Sequence, residues 1–282
     1  PNPLIAARGD WDLSLFESIG VFAAVFFDRD GELSEVMRSA YAERIIVSYG
    51  PYLTQLQLDR VFLLREGRGT IFYGGAEVVF NPAPGLSVRG AFVLSSGVFS
   101  LRLAESERRE VDLSGWAADL ELHCDLADRV ELGAFAVALS GSEPPSATHT
   151  SYSAFIGIAP YWAWTGLFFS GGINQSLLEG RAAAAGINGH GVIGGGPTLQ
   201  LDLAPALIEL RAAWLGALVA PPARLDASGS SYGIETDLLA EIALLSWLSL
   251  QIELGLLFPI SFFPSSRVAY RGYTLFTVIH DG

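Results

Sequence analysis

The last third of the chain alternates apolar and polar residues with a period of two. From Ile234 to Leu244 every second residue except Thr236 is apolar, and three carboxylates stand between. The alternation resumes after Trp247 and continues to Phe258. This period predicts β-strands with one apolar and one polar face. A helix would place Glu241 and Leu244 on the same side, so the separation would fail.

Short turns are predicted to join such strands in pairs. The turns fall at 81–85, 125–127, 204–205 and 245–247. The connections between the pairs are longer and more polar: Ser100–Glu110, Ser140–Thr150, Gly172–Gly189, Ala220–Ser231 and Pro259–Arg267. Strict alternation of short and long connections is typical of transmembrane β-barrels. Two of the long loops, Gly172–Gly189 and Ser100–Glu110, are expected to be able to constrict one mouth.

The pattern predicts about fourteen strands in one domain that covers residues 1–282. The expected spans are 11–27, 40–50, 52–65, 70–81, 86–98, 111–123, 129–141, 151–158, 162–171, 190–203, 206–219, 232–244, 248–258 and 268–280. The predicted fold class is therefore all-β, a closed antiparallel up-and-down transmembrane β-barrel. An even strand number places both chain ends at the short-turn side and lets the barrel close.

Composition supports an apolar surrounding for this fold. Half of the residues are hydrophobic and only 17% are charged, against about a quarter in soluble domains. Yet no stretch offers the roughly 20 consecutive apolar residues of a membrane-spanning helix. Alternating strands reconcile the two observations, because only every second residue meets lipid. Since the chain starts at Pro1 without Met, we expect an N-terminal signal peptide to have been removed.

The charge balance excludes several functions. The net charge is −13 and every basic residue is arginine, so nucleic acid is not an expected partner. Without lysine, neither a Walker phosphate loop, a Schiff-base lysine nor a Ser-x-x-Lys nucleophile is possible. The single cysteine, Cys124, permits no internal disulfide.

Three motifs are weighed against chance and set aside. Gly189–Gly194 matches G-x-G-x-x-G and Gly229–Gly233 matches G-x-S-x-G, but alternating segments follow both where a helix would be needed. His123, Cys124 and Asp125 are successive strand residues that point to opposite faces, which disfavours a shared metal ion. We therefore predict no catalytic residue, no metal and no cofactor.

Charged and amide residues on the polar face are the candidate site. In lipid this face must line the lumen, because charges facing acyl chains are costly. The predicted lumen residues are Glu77, Arg89, Asp119, Glu121, Glu131, Glu209, Arg211, Glu235, Asp237, Glu241, Gln251 and Glu253. Acids outnumber arginines, which predicts a cation-preferring interior if they do more than keep the lumen wet and pair with each other.

The whole chain resembles the monomeric porin-like barrels of Gram-negative outer membranes, in the fourteen-stranded size class. The resemblance rests on architecture, and the chain departs from it by ending without an aromatic residue at Ile279–Gly282. It implies a non-enzymatic outer-membrane channel for small solutes, with lipid as its surrounding. The alternatives are a transporter of apolar compounds, a structural barrel that docks an unknown protein partner, and a barrel-wall hydrolase.

Overall fold

A computed structural model shows the protein as a single large β-sheet with a small second one. It describes residues 3–14, 17–31, 33–34, 36, 68–102, 108–143, 150–157, 183–220, 229–245, 247–263 and 267–278. The strands are β1 (Leu4–Ser14), β2 (Glu17–Asp28), β3 (Arg68–Ala83), β4 (Leu86–Arg102), β5 (Arg108–Ala127), β6 (Val130–Leu139), β7 (Ser151–Tyr152), β8 (Ile156–Gly157), β9 (Ala183–Ala184), β10 (Val192–Asp202), β11 (Ala206–Gly216), β12 (Ser231–Leu245), β13 (Leu248–Pro259) and β14 (Ala269–Val278).

Neighbours in the large sheet follow chain order. The path runs β1-β2-β3-β4-β5-β6-β10-β11-β12-β13-β14, and all neighbours along it are antiparallel. The short strand β7 pairs in parallel with β5, which makes twelve strands in this sheet. The antiparallel meander confirms the predicted all-β class. Among the described residues, no pairing joins β1 to β14.

The two ends of the sheet differ in their connections. At one end, here the tight-turn end, Ser14 pairs with Glu17, Ala83 with Leu86, and Ala127 with Val130. The β10–β11 and β12–β13 turns lie at this end too. All other connections lie at the opposite, long-loop end. The predicted alternation of short and long connections is thus confirmed.

The turn between β3 and β4 shows how the local sequence sets this geometry. Pro84 and Gly85 alone separate the paired residues Ala83 and Leu86. Gly85 has φ of 73°, a left-handed conformation that glycine adopts without steric cost. The turn is shorter than the predicted 81–85 because β3 continues through Asn81 and Pro82.

The positions of the strands differ from the fourteen predicted spans in several places. The predicted span 11–27 is wrong, since it holds the end of β1, a turn and β2. The predicted spans 40–50, 52–65 and 162–171 lie outside the described residues. Within the described residues β2 pairs directly with β3, and β6 pairs directly with β10. Because a hairpin replaces one strand at the start, Leu4 lies at the long-loop end, which corrects the prediction that both chain ends lie together.

The connection from β6 to β10, residues 140–191, is called the insert below. Its described parts are 140–143, 150–157 and 183–191. The predicted wall strand 151–158 is wrong: β7 borders β5 over two residues only, and β8 pairs with β9 in the separate small sheet. Ser140 leaves the wall, and its carbonyl accepts a hydrogen bond from the Phe155 N–H at 2.9 Å. The insert therefore folds back on the sheet rather than extending it.

The two faces of the sheet have opposite chemistry. On the outward face, large apolar side chains on most strands are exposed, among them Phe72, Leu94, Leu120 and Leu254. Residues of opposite parity, such as Ile71, Val93 and Leu113, are buried. A monomer in water rarely exposes so broad an apolar surface. In the part of the chain that the structure describes, no helix has the length and hydropathy to cross a membrane.

Candidate functional site: the inner face of the sheet

The strand registers place all twelve predicted lumen residues on the inner face. Arg89 lies opposite Glu121, Arg211 opposite Asp237, and Glu241 opposite Gln251. Directly paired residues share a face of the sheet. The inner face is therefore polar over much of its area, as the alternation predicted. Their role in a pore stays a prediction.

Charged side chains on β1 to β6 form a connected row, here called the charged strip. It consists of Arg8, Asp10, Glu77, Arg89, Glu121, His123 and Glu131. Glu77 is held from two sides, by Arg89 Nε at 2.7 Å and by Arg8 Nη1 at 3.1 Å. Arg89 Nη1 also lies 3.9 Å from Glu121 Oε2. Positive and negative groups thus alternate across neighbouring strands.

Arg8 is one member that sequence reasoning missed, because the first predicted strand began at residue 11. Its guanidinium reaches across β2 to Glu77 on β3. Gly20 of β2 makes this possible: a Cβ there would lie 2.7 Å from Asp10 Oδ1 and 3.0 Å from an Arg8 Nη atom. The absent side chain leaves room for a charge contact two strands away.

His123 is another member that the sequence prediction missed, as it also missed Asp10. Its Nδ1 lies 2.6 Å from Glu131 Oε1, and its Nε2 lies 3.5 Å from Glu121 Oε2. The residue lies inside the predicted span 111–123 but was not counted among the lumen residues, and β5 continues past it to Ala127. The signal was present, since His123 has the same parity as Asp119 and Glu121. Cys124 has the opposite parity, which fits the prediction that the two do not share a metal ion.

The other half of the inner face also carries paired polar residues. Arg211 Nε donates to Glu209 Oε1 at 2.5 Å on β11. Gln200, also missed from the sequence, is the cross-strand partner of both Glu131 and Glu209. Through it, polar residues continue from β6 to β11. Asp119 and Asp237 are each only 8% exposed, so they lie where the polar part of the inner face meets its buried part.

Glu235 does not belong to that polar part, which corrects its prediction as a residue of an open lumen. It is 0% exposed and lies between its cross-strand partners Ala213 and Leu257, at 2% and 1%. All three sit toward the long-loop end. Parity placed Glu235 on the correct face, but its level along the strand removes it from water.

The inner face at the long-loop end is filled by an apolar cluster, here called the apolar plug. It unites the inner faces of the strands with the insert and the β13–β14 loop. Its members include Phe26, Ile71, Tyr73, Phe99, Val111, Tyr152, Phe155, Ile156, Leu215, Tyr232 and Phe262. Tyr152 and Tyr232 are 0% exposed. The predicted mouth loop Ser100–Glu110 is shorter than expected, because β4 and β5 pair as far as Arg102 and Arg108. Residues 103–107 lie outside the described residues, so its role at a mouth stays a prediction.

Two tyrosines fasten the insert to opposite parts of the sheet. Tyr73 on β3 donates its hydroxyl to the Ile156 carbonyl at 2.8 Å, and its ring meets Phe155 edge-on. Tyr232 on β12 donates to the Gly191 carbonyl at 2.9 Å and accepts from the Ile187 N–H at 3.3 Å. Five strands of the path lie between β3 and β12. One insert can touch both only because the sheet curves around it.

Gly115 on β5 allows a close approach of the insert to the wall. A Cβ at this position would lie 2.7 Å from Phe155 Cα and 3.0 Å from its backbone nitrogen. Backbone atoms cannot yield as a flexible side chain can, so any larger residue would displace the insert. Of the predicted mouth loop Gly172–Gly189 the structure describes residues 183–189, and these belong to the insert. Its role in constricting a mouth stays a prediction.

The inner face therefore has two levels. At the tight-turn end it presents a strip of charges, with Arg89 and His123 at 47% and 39% side-chain exposure. At the long-loop end it is dry and packed. No group of three or more His, Cys, Asp or Glu residues among the described ones has the arrangement of a metal site. The arrangement can attract ions at one end and restrict their passage at the other.

Comparison with known proteins gives similarity of fold only. No protein-family model and no curated protein sequence matches the chain. The solved structures it resembles are outer-membrane β-barrel proteins, the kind that the sequence predicted. They include the NanC porin (7% identity over 98% of both chains, TM-score 0.39) and the CymD monoaromatic hydrocarbon channel (9% identity over 100% of this chain and 75% of that one, TM-score 0.40).

The ferric enterobactin receptor PfeA is also similar, at 11% identity over 93% of this chain, with a TM-score of 0.47. This chain spans about a third of the receptor, 34% of its length. At TM-scores under 0.5 these likenesses carry no argument about mechanism. The proposals below rest on the geometry of this chain.

Proposed function

We propose that this protein forms a closed transmembrane β-barrel in a bacterial outer membrane and acts as a channel for small solutes that prefers cations. The outward apolar face supports the membrane assignment, because exposed residues such as Phe72 and Leu254 stabilise the sheet only in an apolar solvent. Longer loops on outer-membrane barrels face outside and tight turns face the periplasm. The charged strip then opens toward the periplasm.

The charged strip is the observation that carries the proposed selectivity. Adding Arg8 and Asp10 to the predicted set leaves acids well in excess of arginines on the inner face. Glu77 and Glu121 keep 16% and 17% side-chain exposure, so their charge reaches the solvent-facing part of the strip. Carboxylates along a pore raise the local concentration of cations. The apolar plug narrows the passage at the other end and limits solute size.

The test is the reversal potential across a planar bilayer with a potassium chloride gradient. We expect the sign of a cation-selective channel, largest in dilute salt, because salt at physiological strength screens charges beyond about 8 Å. The double variant Glu77→Gln/Glu121→Gln should reduce the potential. Asp128→Asn, a matched change in the exposed tight turn between β5 and β6, should leave it unchanged. A potential near zero or of anion-selective sign would contradict the proposal.

A second candidate is the passage of apolar compounds. The specific observation that favours it is the apolar plug, whose aromatic rings Tyr232, Phe262 and Phe263 pack together at the long-loop end. An apolar solute could exchange with such a lining without leaving polar groups unpaired. Saturable binding of an apolar fluorescent dye by a barrel that carries no current would favour this candidate over the ion channel.

A further inference from the structure

His123 lies between two carboxylates that belong to neighbouring strands. Its Nδ1 is 2.6 Å from Glu131 Oε1 on β6, and its Nε2 is 3.5 Å from Glu121 Oε2 on its own strand, β5. The side chain is 39% exposed, so the ring can exchange protons with solvent. Imidazole is the side chain that ordinarily changes its charge near neutral pH, at about 6.5. A titratable group therefore lies inside the charged strip.

The two protonation states of His123 make these contacts differently. An ionised carboxylate only accepts hydrogen bonds, so the 2.6 Å contact with Glu131 requires the proton to lie on Nδ1. In the neutral ring Nε2 then carries no proton, and its lone pair faces the Glu121 carboxylate at 3.5 Å. In the imidazolium both nitrogens donate, and each carboxylate gains a charged donor. Both contacts are therefore favourable only in the protonated state.

The surroundings of His123 are uncharged directly across the strands and acidic along them. Ser87 on β4 and Gly133 on β6 are its cross-strand partners. Beyond β6, the inner face of β10 presents Thr198 and Gln200, which carry no charge. The charged groups that face the ring from β4, β5 and β6, among the described residues, are those of Arg89, Glu121, Asp125 and Glu131. Three acids and one base surround the ring, so a proton on it meets a mainly negative environment.

Protonation of the ring halves the net negative charge of the charged strip. Besides His123 the strip holds four carboxylates and two guanidinium groups, those of Asp10, Glu77, Glu121, Glu131, Arg8 and Arg89. With a neutral ring these charges give −2, and with the imidazolium they give −1. Carboxylates along a pore raise the local concentration of cations. The charge of one ring therefore changes how strongly the strip attracts them.

We propose that His123 is a specificity-determining residue of the charged strip and that a proton controls it. With the neutral ring the strip prefers cations strongly, and the preference weakens as the pH falls through the range in which the ring takes up its proton. The carboxylates themselves ordinarily lose their charge only near pH 4, so the change at His123 comes first on acidification. The proposal rests on the proposed cation-selective channel and adds the regulation of that same site.

The first test measures the local charge without any current, by thiol labelling of Ser87→Cys on a Cys124→Ser background. Ser87 is the cross-strand partner of His123, so their Cβ atoms lie about 5 Å apart. The probes are two methanethiosulfonate reagents of similar size, one with an ammonium group and one with a sulfonate group. The ratio of the cationic rate to the anionic rate cancels the titration of the thiol itself. Lowering the pH from about 8.5 to about 5.5 should reduce this ratio about three- to tenfold, the effect of one nearby unit charge in water.

Two substitutions fix the charge at position 123 and set the limits of this test. His123→Gln has no charge, so the labelling ratio should stay high at both pH values. His123→Arg has a permanent charge, so the ratio should stay low at both. Ala243→Cys, exposed on the inner face of β12 at the tight-turn end, is the control position and should give the same ratio in all three backgrounds. A pH dependence that survives unchanged in His123→Gln overturns the proposal.

The second test repeats the reversal-potential measurement in dilute potassium chloride at the same two pH values. The cation preference should fall on acidification of the protein with His123, stay high in His123→Gln and stay low in His123→Arg. An equal fall in His123→Gln contradicts the proposal. A labelling ratio that depends on His123 in a protein without current upholds the proton-controlled charge and counts against the channel. Cation-selective current with a labelling ratio independent of pH does the opposite.

Discussion

The two ends of the inner face are built from the same strands with the same alternation, yet they differ in access to water. On β4, Ser95 near the long-loop end is 8% exposed, whereas Arg89 toward the tight-turn end keeps 47% side-chain exposure. On β12, Glu235 is fully buried, whereas Glu241 is exposed. The difference comes from the described parts of the insert, which pack against the inner face at the long-loop end. A side chain can therefore face inward and still be shielded from solvent.

The separation of the inner face into a charged end and an apolar end also has an energetic reason. The half-exposed ion pairs of the charged strip each contribute little, about 0–1 kcal/mol, and keep much of their hydration. Covering them with an apolar segment would remove that hydration at a cost of several kcal/mol per ion. Tyr73 and Tyr232, by contrast, bury large rings and still satisfy their hydroxyls on the insert backbone. The insert is therefore most stable where the inner face is apolar.

The largest expected effect comes from Gly115→Leu. A leucine there would overlap the Phe155 backbone, so we expect about 3 kcal/mol lower free energy of unfolding and a displaced insert. Denaturant unfolding and single-channel conductance measure the two effects, and conductance should rise. Ser114→Leu, one residue away on the outward face, is the control and should change neither. Equal behaviour of the two variants would show that the insert does not rest on β5.

Tyr232→Phe should cost about 1–2 kcal/mol of unfolding free energy. The change removes the donor to the Gly191 carbonyl and the acceptor for the Ile187 N–H, and it leaves both buried groups without that partner. Tyr270→Phe, on the exposed outward side of β14, is the matched control and should be close to neutral. If the two variants unfold alike, the tyrosine hydroxyl does not hold the insert.

Arg89→Gln should change selectivity more than stability. We expect less than about 1 kcal/mol in unfolding free energy, because the side chain is half-exposed. Its loss leaves Glu77 and Glu121 with less positive charge nearby, so the cation preference in dilute potassium chloride should increase. Arg129→Gln, in the tight turn between β5 and β6, is the control. A reversal potential that moves equally in both variants would place the selectivity outside the charged strip.

The smallest perturbation uses three serines of β4, each replaced by cysteine on a Cys124→Ser background. Ser87 and Ser95 share the inner face, one at each level, whereas exposed Ser96 points outward. In vesicles, a small hydrophilic thiol reagent should label Ser87→Cys readily and leave Ser95→Cys and Ser96→Cys protected. Stability should hardly change. Labelling of Ser95→Cys at the rate of Ser87→Cys would mean that water reaches the long-loop end and the division is absent.

The alternation of residues determined the strands, their faces and the tight turns. It placed all twelve charged and amide residues on one face, because side-chain direction along a strand depends only on parity. It also predicted the turn regions near Gly85 and Trp247, where short connections force antiparallel neighbours. It failed at 11–27, where the antiparallel strands β1 and β2 replace one predicted strand, and at 125–127, where β5 continues through the predicted turn.

Only the tertiary structure decided which part of the inner face is wet. Segment 151–158 reads as a wall strand, but it lies on Gly115 and Tyr73 inside the curved sheet. Arg8 joins Glu77 across β2 because Gly20 leaves space, a contact over 69 positions of the chain that no local pattern contains. Parity is a local property of the backbone. The level of a residue along the barrel and the cover provided by a distant insert arise only once the strands are assembled.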